Sequence, residues 1–111
     1  FILCFSVSVL HAQHKVRFEV ESKPSSHQND SLYLVGSFNG WNPGIPAFRF
    51  QTSEDGKSFI DLKGMPKGIF EYKVTRGNWT KVECNADGSS MLNRIFRFQN
   101  DTIIKLDVKG W

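Results

Sequence analysis

Leu32-Tyr33-Leu34-Val35-Gly36-Ser37-Phe38-Asn39-Gly40-Trp41-Asn42-Pro43 decides the fold. A short apolar run stops abruptly in a segment holding two glycines, two asparagines and a proline. Gly and Asn accept left-handed backbone, and Pro removes a backbone donor. The run is therefore a short strand closed by a turn, not the start of a longer element. Its unbroken apolar character predicts a central position in a sheet. The turn also carries Phe38 and Trp41. A loop tryptophan either folds back onto a core or is displayed, and that choice governs the functional reading.

Working outward, short strands recur on both sides. Lys15 to Glu21 alternates strictly, with Val16, Phe18 and Val20 on one face and charges on the other, the pattern of a half-buried antiparallel strand. Lys23 to Ser31 is a polar loop with Pro24. A third strand is expected to begin at Phe48-Arg49-Phe50 and a fourth to run from Phe59 to Lys63, joined by a turn at Ser53 to Lys57 around Gly56. Ile69 to Thr75 is the strongest strand signal: Phe70, Tyr72 and Val74 share one face, Glu71, Lys73 and Thr75 the other. A short strand is expected at Trp79 to Glu83, then a polar loop at Asn85 to Ser90. Ile95 to Phe98 and Ile103 to Val108 close the chain around an Asn100-Asp101 turn. No segment has the length and 3.6-residue period of a helix. Seven or eight short strands with turn signals between them predict an all-β antiparallel β-sandwich.

Composition bounds the function. Residues 1–10 carry no charge, and charge begins at His14-Lys15. Residues 1–13 read as the apolar centre and small-residue cleavage point of a secretory signal peptide, the other reading being an apolar first strand. The run is too short to span a bilayer. On this reading residues 14–111 form one domain, secreted or periplasmic. Its 14 basic and 11 acidic residues are interspersed, which argues against a nucleic-acid partner. Cys84 is the one cysteine outside the leader, so this domain has no internal disulfide, a composition compatible with a bacterial source.

Signals for catalysis are poor. The three histidines, His11, His14 and His27, lie in or near the N-terminal margin. There are no clustered cysteines, no His-x-x-x-His and no glycine-flanked serine elbow. The carboxylates fall in turns and on outward strand faces; a pair such as Glu71 and Glu83 can meet across strands, as surface carboxylates often do. No acidic loop has calcium-ligand spacing. The domain is read as non-catalytic, with no metal and no cofactor.

Recognition by stacking fits the residues better. A sugar ring has an apolar C–H face and a rim of hydroxyls. Trp41 and Trp79 are the candidates for a platform, Lys73 for a hydroxyl donor, and Asn78 and Asn93 for further hydroxyl contacts. Against this, each tryptophan can instead cap one end of the core. That reading is preferred for Trp111, and Phe38 is read as the loop's anchor.

The ordered motifs resemble a known family. Leu32 to Trp41 is similar to the opening signature of starch- and glycogen-binding modules, carbohydrate-binding module families 20 and 48, including the glycogen-binding domain of the AMP-activated protein kinase beta subunit. Phe70-Glu71-Tyr72-Lys73-Val74 after Met65-Pro66-Lys67-Gly68 resembles the second signature. Gly77-Asn78-Trp79 followed by Leu92-Asn93-Arg94 resembles the third. The resemblance implies an immunoglobulin-like sandwich that binds α-1,4-glucan, as starch, glycogen or maltooligosaccharide. Trp41 and Trp79 would stack, and Lys73 and Asn93 would bind hydroxyls. The stretch Asp87 to Leu92 is longer than in starch-binding modules. Thr75 to Glu83 also looks like a branch found at the N-terminus of secreted bacterial esterases and related hydrolases. The expected role is to target an attached hydrolase or esterase to polysaccharide. The alternative is a structural module that packs against such a catalytic domain without binding sugar.

Overall fold

A computed structural model describes residues 14–111, so the expected leader at 1–13 lies outside the described residues. Seven strands follow in order: β1 Lys15–Ser22, β2 Tyr33–Gly36, β3 Gln51–Thr52, β4 Ser58–Lys63, β5 Gly68–Thr75, β6 Arg94–Phe98 and β7 Thr102–Asp107. They make two sheets, β3-β4-β1-β7 and β2-β5-β6. The alternating side chains of β1 and β5 interdigitate between the sheets, as a sandwich requires. Phe18 from one sheet meets Tyr72 and Phe96 from the other edge-to-face, at 5.1 and 5.3 Å between ring centroids. Val16, Phe18, Leu34, Val74, Phe98 and Leu106 around them are sealed from solvent. The all-β sandwich expected from the alternation is therefore the fold.

Four local expectations are corrected. The first concerns orientation: β1 runs antiparallel to β4 but parallel to β7, with a register shift after Val20. Strand alternation reports which face is buried, not the direction of the neighbour. The second concerns Phe48 to Phe50. Pro46 opens a 3₁₀ turn over Pro46–Phe48, and pairing with β4 is confined to Gln51 and Thr52. Proline's fixed φ starts a helical turn as readily as it excludes a ladder donor.

The third correction concerns Trp79 to Glu83. The side chain of Asn78 accepts the backbone N–H of Thr80, and Trp79–Lys81 becomes a 3₁₀ turn. Of this stretch only Val82 bridges back to β5, opposite Thr75. An asparagine side chain offers the backbone a local partner that outcompetes a ladder. The fourth correction concerns β2. It is an edge strand, laddered with β5 and bridged on its other side only at Tyr33 to Arg49. Leu34 faces the core, while Val35 is equally buried on the opposite face. What covers that outer face is the loop that β2 itself runs into.

Candidate functional site

Gly36 begins the loop at a point of close approach. A Cβ there would lie 2.4 Å from the Glu71 carbonyl oxygen and 2.6 Å from the Phe38 ring, so only glycine fits. Asn39 then locks the turn. Its Oδ1 accepts the Gly36 N–H and its Nδ2 donates to the Leu34 carbonyl, both at 3.0 Å. The N–H groups of Asn39 and Trp41 both donate to the Gly36 carbonyl, each at 3.1 Å. Phe38 is indeed an anchor, packed on the core beside Phe48 and Phe70.

The chain turns back at Gly40 and Trp41, with φ of 66° and 57°. Glycine adopts this region freely, but a bulky L-residue is strained there by roughly 1–2 kcal/mol. The returning segment lies over the outer face of β2 and β5. Thr75 donates its hydroxyl to the Pro43 carbonyl at 2.7 Å and accepts the Gly77 N–H at 3.2 Å. A Cβ on Gly44 would lie 2.6 Å from the Gly77 carbonyl oxygen. The loop is thus sewn to the turn after β5, and Val35 and Thr75 are buried beneath it although both point away from the core.

This closure brings the two loop tryptophans together. The Trp41 and Trp79 ring centroids are 6.3 Å apart and the planes are inclined by 32°. Trp79 keeps 46% of its surface exposed, and Trp41 is half-buried. Lys73 lies in register with Val35 of β2, on the outer face. It makes no ion pair or side-chain hydrogen bond among the described residues, so its amine is free. Continuing the β5–β6 register one step past Tyr72 and Arg94 sets Asn93 opposite Lys73, exposed. Of the five site residues read from sequence, Asn78 has a different first duty. Its Oδ1 takes the Thr80 N–H at 3.0 Å and the Thr80 hydroxyl at 2.6 Å, leaving only the amide nitrogen for other partners.

Glu83 corrects the sequence reading most sharply. It is not an outward carboxylate near Glu71 but 1% exposed. It accepts the Val74 N–H at 2.7 Å and a two-pronged contact from the Arg94 guanidinium at 2.8 to 3.1 Å. Arg94 also donates to the Asp107 carbonyl at 2.9 Å. The Glu83 hydrogen bond, which outweighs the cost of burial, raises the Arg94 pKa further and fixes its charge. Burial beside this pair pushes the Tyr72 phenol up to about 12. One ion pair thereby ties together β5, the segment carrying Trp79, the start of β6 beside Asn93, and β7. Nothing local marks such a role, because Glu83 and Arg94 are separated by a polar loop. Asn39 was the legible omission: an asparagine three residues after a strand-ending glycine is a turn-locking signal.

Trp111 behaves as a cap, half-buried against the core with the Arg76 guanidinium 5.2 Å from its ring. Arg76 is held in turn by Asp30 at 2.8 Å, which depresses the Asp30 pKa. Cys84 is a free, half-buried thiol. Among the described residues no group of three or more His, Cys, Asp or Glu side chains is placed to hold a metal ion. No helix among them is long and apolar enough to cross a membrane.

No family model matches the chain. An α-amylase from Niallia circulans is 38% identical over 79 residues, which is 71% of this chain. The matched segment is only 6% of that amylase, so the chain resembles a small part of a much longer protein.

Proposed function

We propose that this domain is a non-catalytic module that binds α-1,4-glucan and holds an attached hydrolase at its polymer. The observation that carries the reading is the pair of adjacent indoles outside the core; Lys73 on the outer face of β5 and the exposed Asn93 just before β6 are the polar groups that fit beside them. Trp41 and Trp79 stack on sugar C–H faces, and Lys73 and Asn93 bind hydroxyls. The 32° inclination suits a chain whose successive rings turn, as α-1,4 linkage makes them, better than a flat β-1,4 chain. Retention of a bulky residue at positive φ supports display of Trp41 for a purpose other than packing. Similarity to a small part of an amylase is consistent with an accessory role. With residues 1–13 read as a secretory leader, the domain acts outside the cytoplasm.

Each ring contributes on the order of 1 kcal/mol, so a lone module binds weakly. Tethering to an enzyme raises the effective concentration at a polysaccharide surface. Calorimetric titration with maltoheptaose, β-cyclodextrin and cellohexaose tests the proposal. Saturable binding of the two α-glucans, weak or no binding of the β-glucan, and a loss of about tenfold (~1.4 kcal/mol) in Trp41→Ala are expected. Absence of saturable α-glucan binding by the parent would refute it.

A further inference from the structure

Beyond the indoles, the outer face of β5 and β6 continues uncovered. Ile69 and Ile95 there are 60% and 65% exposed. The register sets Ile69 opposite Arg97 and Glu71 opposite Ile95, all on the face that carries Lys73. Neither Glu71 nor Arg97 forms an ion pair among the described residues, although diagonal neighbours on a sheet are within reach of long side chains. At its far end the strip opens into a depression of about 460 Å³, whose lining includes Ile69, Arg97, Gln99 and Asn100.

Resting on the function proposed above, we infer that the binding surface extends along this strip and takes further residues of the same glucan chain. Ile95 and Ile69 cover C–H faces. Glu71, Arg97 and the amides of Gln99 and Asn100 hydrogen-bond hydroxyls. Two arguments select a polysaccharide over a protein partner. First, Glu71 and Lys73 stand among the apolar side chains of the strip, whereas the core of a protein interface is depleted of Glu and Lys. A polymer that is apolar on its ring faces and polar at its rim matches such a mixture. Second, the strip shares its sheet face with Lys73 and runs toward the end of β5 that leads into the Trp79 turn. From Lys73 to Ile69 it runs for roughly 13 Å at a strand rise of about 3.3 Å per residue, so a short oligosaccharide fills the platform alone and a longer one also reaches the strip.

Chain-length dependence tests this. Maltotriose and maltoheptaose are titrated into the parent and into Ile95→Thr/Arg97→Thr, β-branched replacements that suit a strand. Thermal unfolding verifies that the variant is folded, and Arg97→Ala alone serves if it is not. The parent is expected to bind maltoheptaose about tenfold more tightly than maltotriose. The variant is expected to keep the parent's maltotriose affinity and lose most of that gain. An undiminished gain in the variant overturns the extension and leaves the isoleucines to a protein partner. Loss of both affinities in the variant equally overturns a separate, additive strip. Failure of the parent to bind either sugar refutes the underlying function instead, so the two failures are distinguishable.

Discussion

On the outer face of the four-stranded sheet, Arg17 lies directly opposite Asp61 and clasps it with two bonds of 2.8 and 2.9 Å. Lys105 pairs with Glu21 at 3.0 Å, and Phe59 is covered by the Arg17 guanidinium at 4.6 Å. On the outer face of the three-stranded sheet, Lys73, Glu71 and Arg97 have no charged partner among the described residues, and the exposed Ile69 and Ile95 stand among them. The strands are built by the same alternation on both sides. One face pairs several of its charges internally, with Ile103 left as its exposed large apolar residue. The other leaves donors, acceptors and apolar surface unmatched, the condition of a surface that is completed by something else. Beneath the open face the buried Glu83 carboxylate is clasped by the half-buried Arg94, so internal stiffness and external availability are combined in the same sheet.

The sharpest way to break this comparison is to remove the buried pair. Glu83→Ala leaves the Val74 N–H without its side-chain acceptor and the Arg94 guanidinium without its counter-charge, holding only the Asp107 carbonyl. It should cost about 3–5 kcal/mol of stability, read as a lowered denaturation midpoint; a loss no larger than that of a surface pair would mean the clasp is dispensable. The next effect isolates the displayed tryptophan. Trp41→Gly and Trp41→Ala remove the same indole, but glycine accepts a φ of 57° without strain. The glycine variant should be more stable than the alanine variant by about 1 kcal/mol, opposite to glycine's ordinary penalty in a regular element. Equal stabilities would show that the loop relaxes once the ring is gone.

Smaller still is the closed face. Arg17 holds the Asp61 carboxyl below its ordinary value of 3.8. A carboxylate depressed in the folded state adds stability above that ordinary value and loses it as pH falls through the folded pKa. Asp61→Asn should therefore cost at most about 1 kcal/mol at neutral pH. The gap from the parent should close below pH 3.8 in thermal unfolding followed by circular dichroism, with glucan affinity unchanged throughout. A gap that persists into stronger acid would assign the effect to packing. The smallest stability effect belongs to the open face. Lys73→Met removes no internal contact and should shift stability by less than about 0.5 kcal/mol, yet weaken maltoheptaose binding. Weakened stability with intact binding would invert the roles of the two faces.

Much of this contrast was legible in the chain itself. The alternation of Lys15 to Glu21 and of Ile69 to Thr75 determined which side chains enter the core, because strand geometry sends successive residues to opposite faces whatever the surroundings. Gly36, Gly40, Asn39 and Pro43 determined a tight loop, because backbone sterics are local. The order of the motifs singled out Trp41, Lys73, Trp79 and Asn93 as candidates. Tertiary structure alone decided the rest. Val35 looked central but is buried by its own returning loop at a sheet edge, since an apolar run reports burial without naming what does the burying. Pairing of β1 with β7 in parallel, and burial of Glu83 under Arg94, depend on contacts between segments far apart along the chain, which no local period encodes. The adjacency of Trp41 and Trp79 is of that kind as well. It exists because Thr75, Gly44 and Gly77 bind the loop to the turn beyond β5, and only the folded chain brings those three residues together.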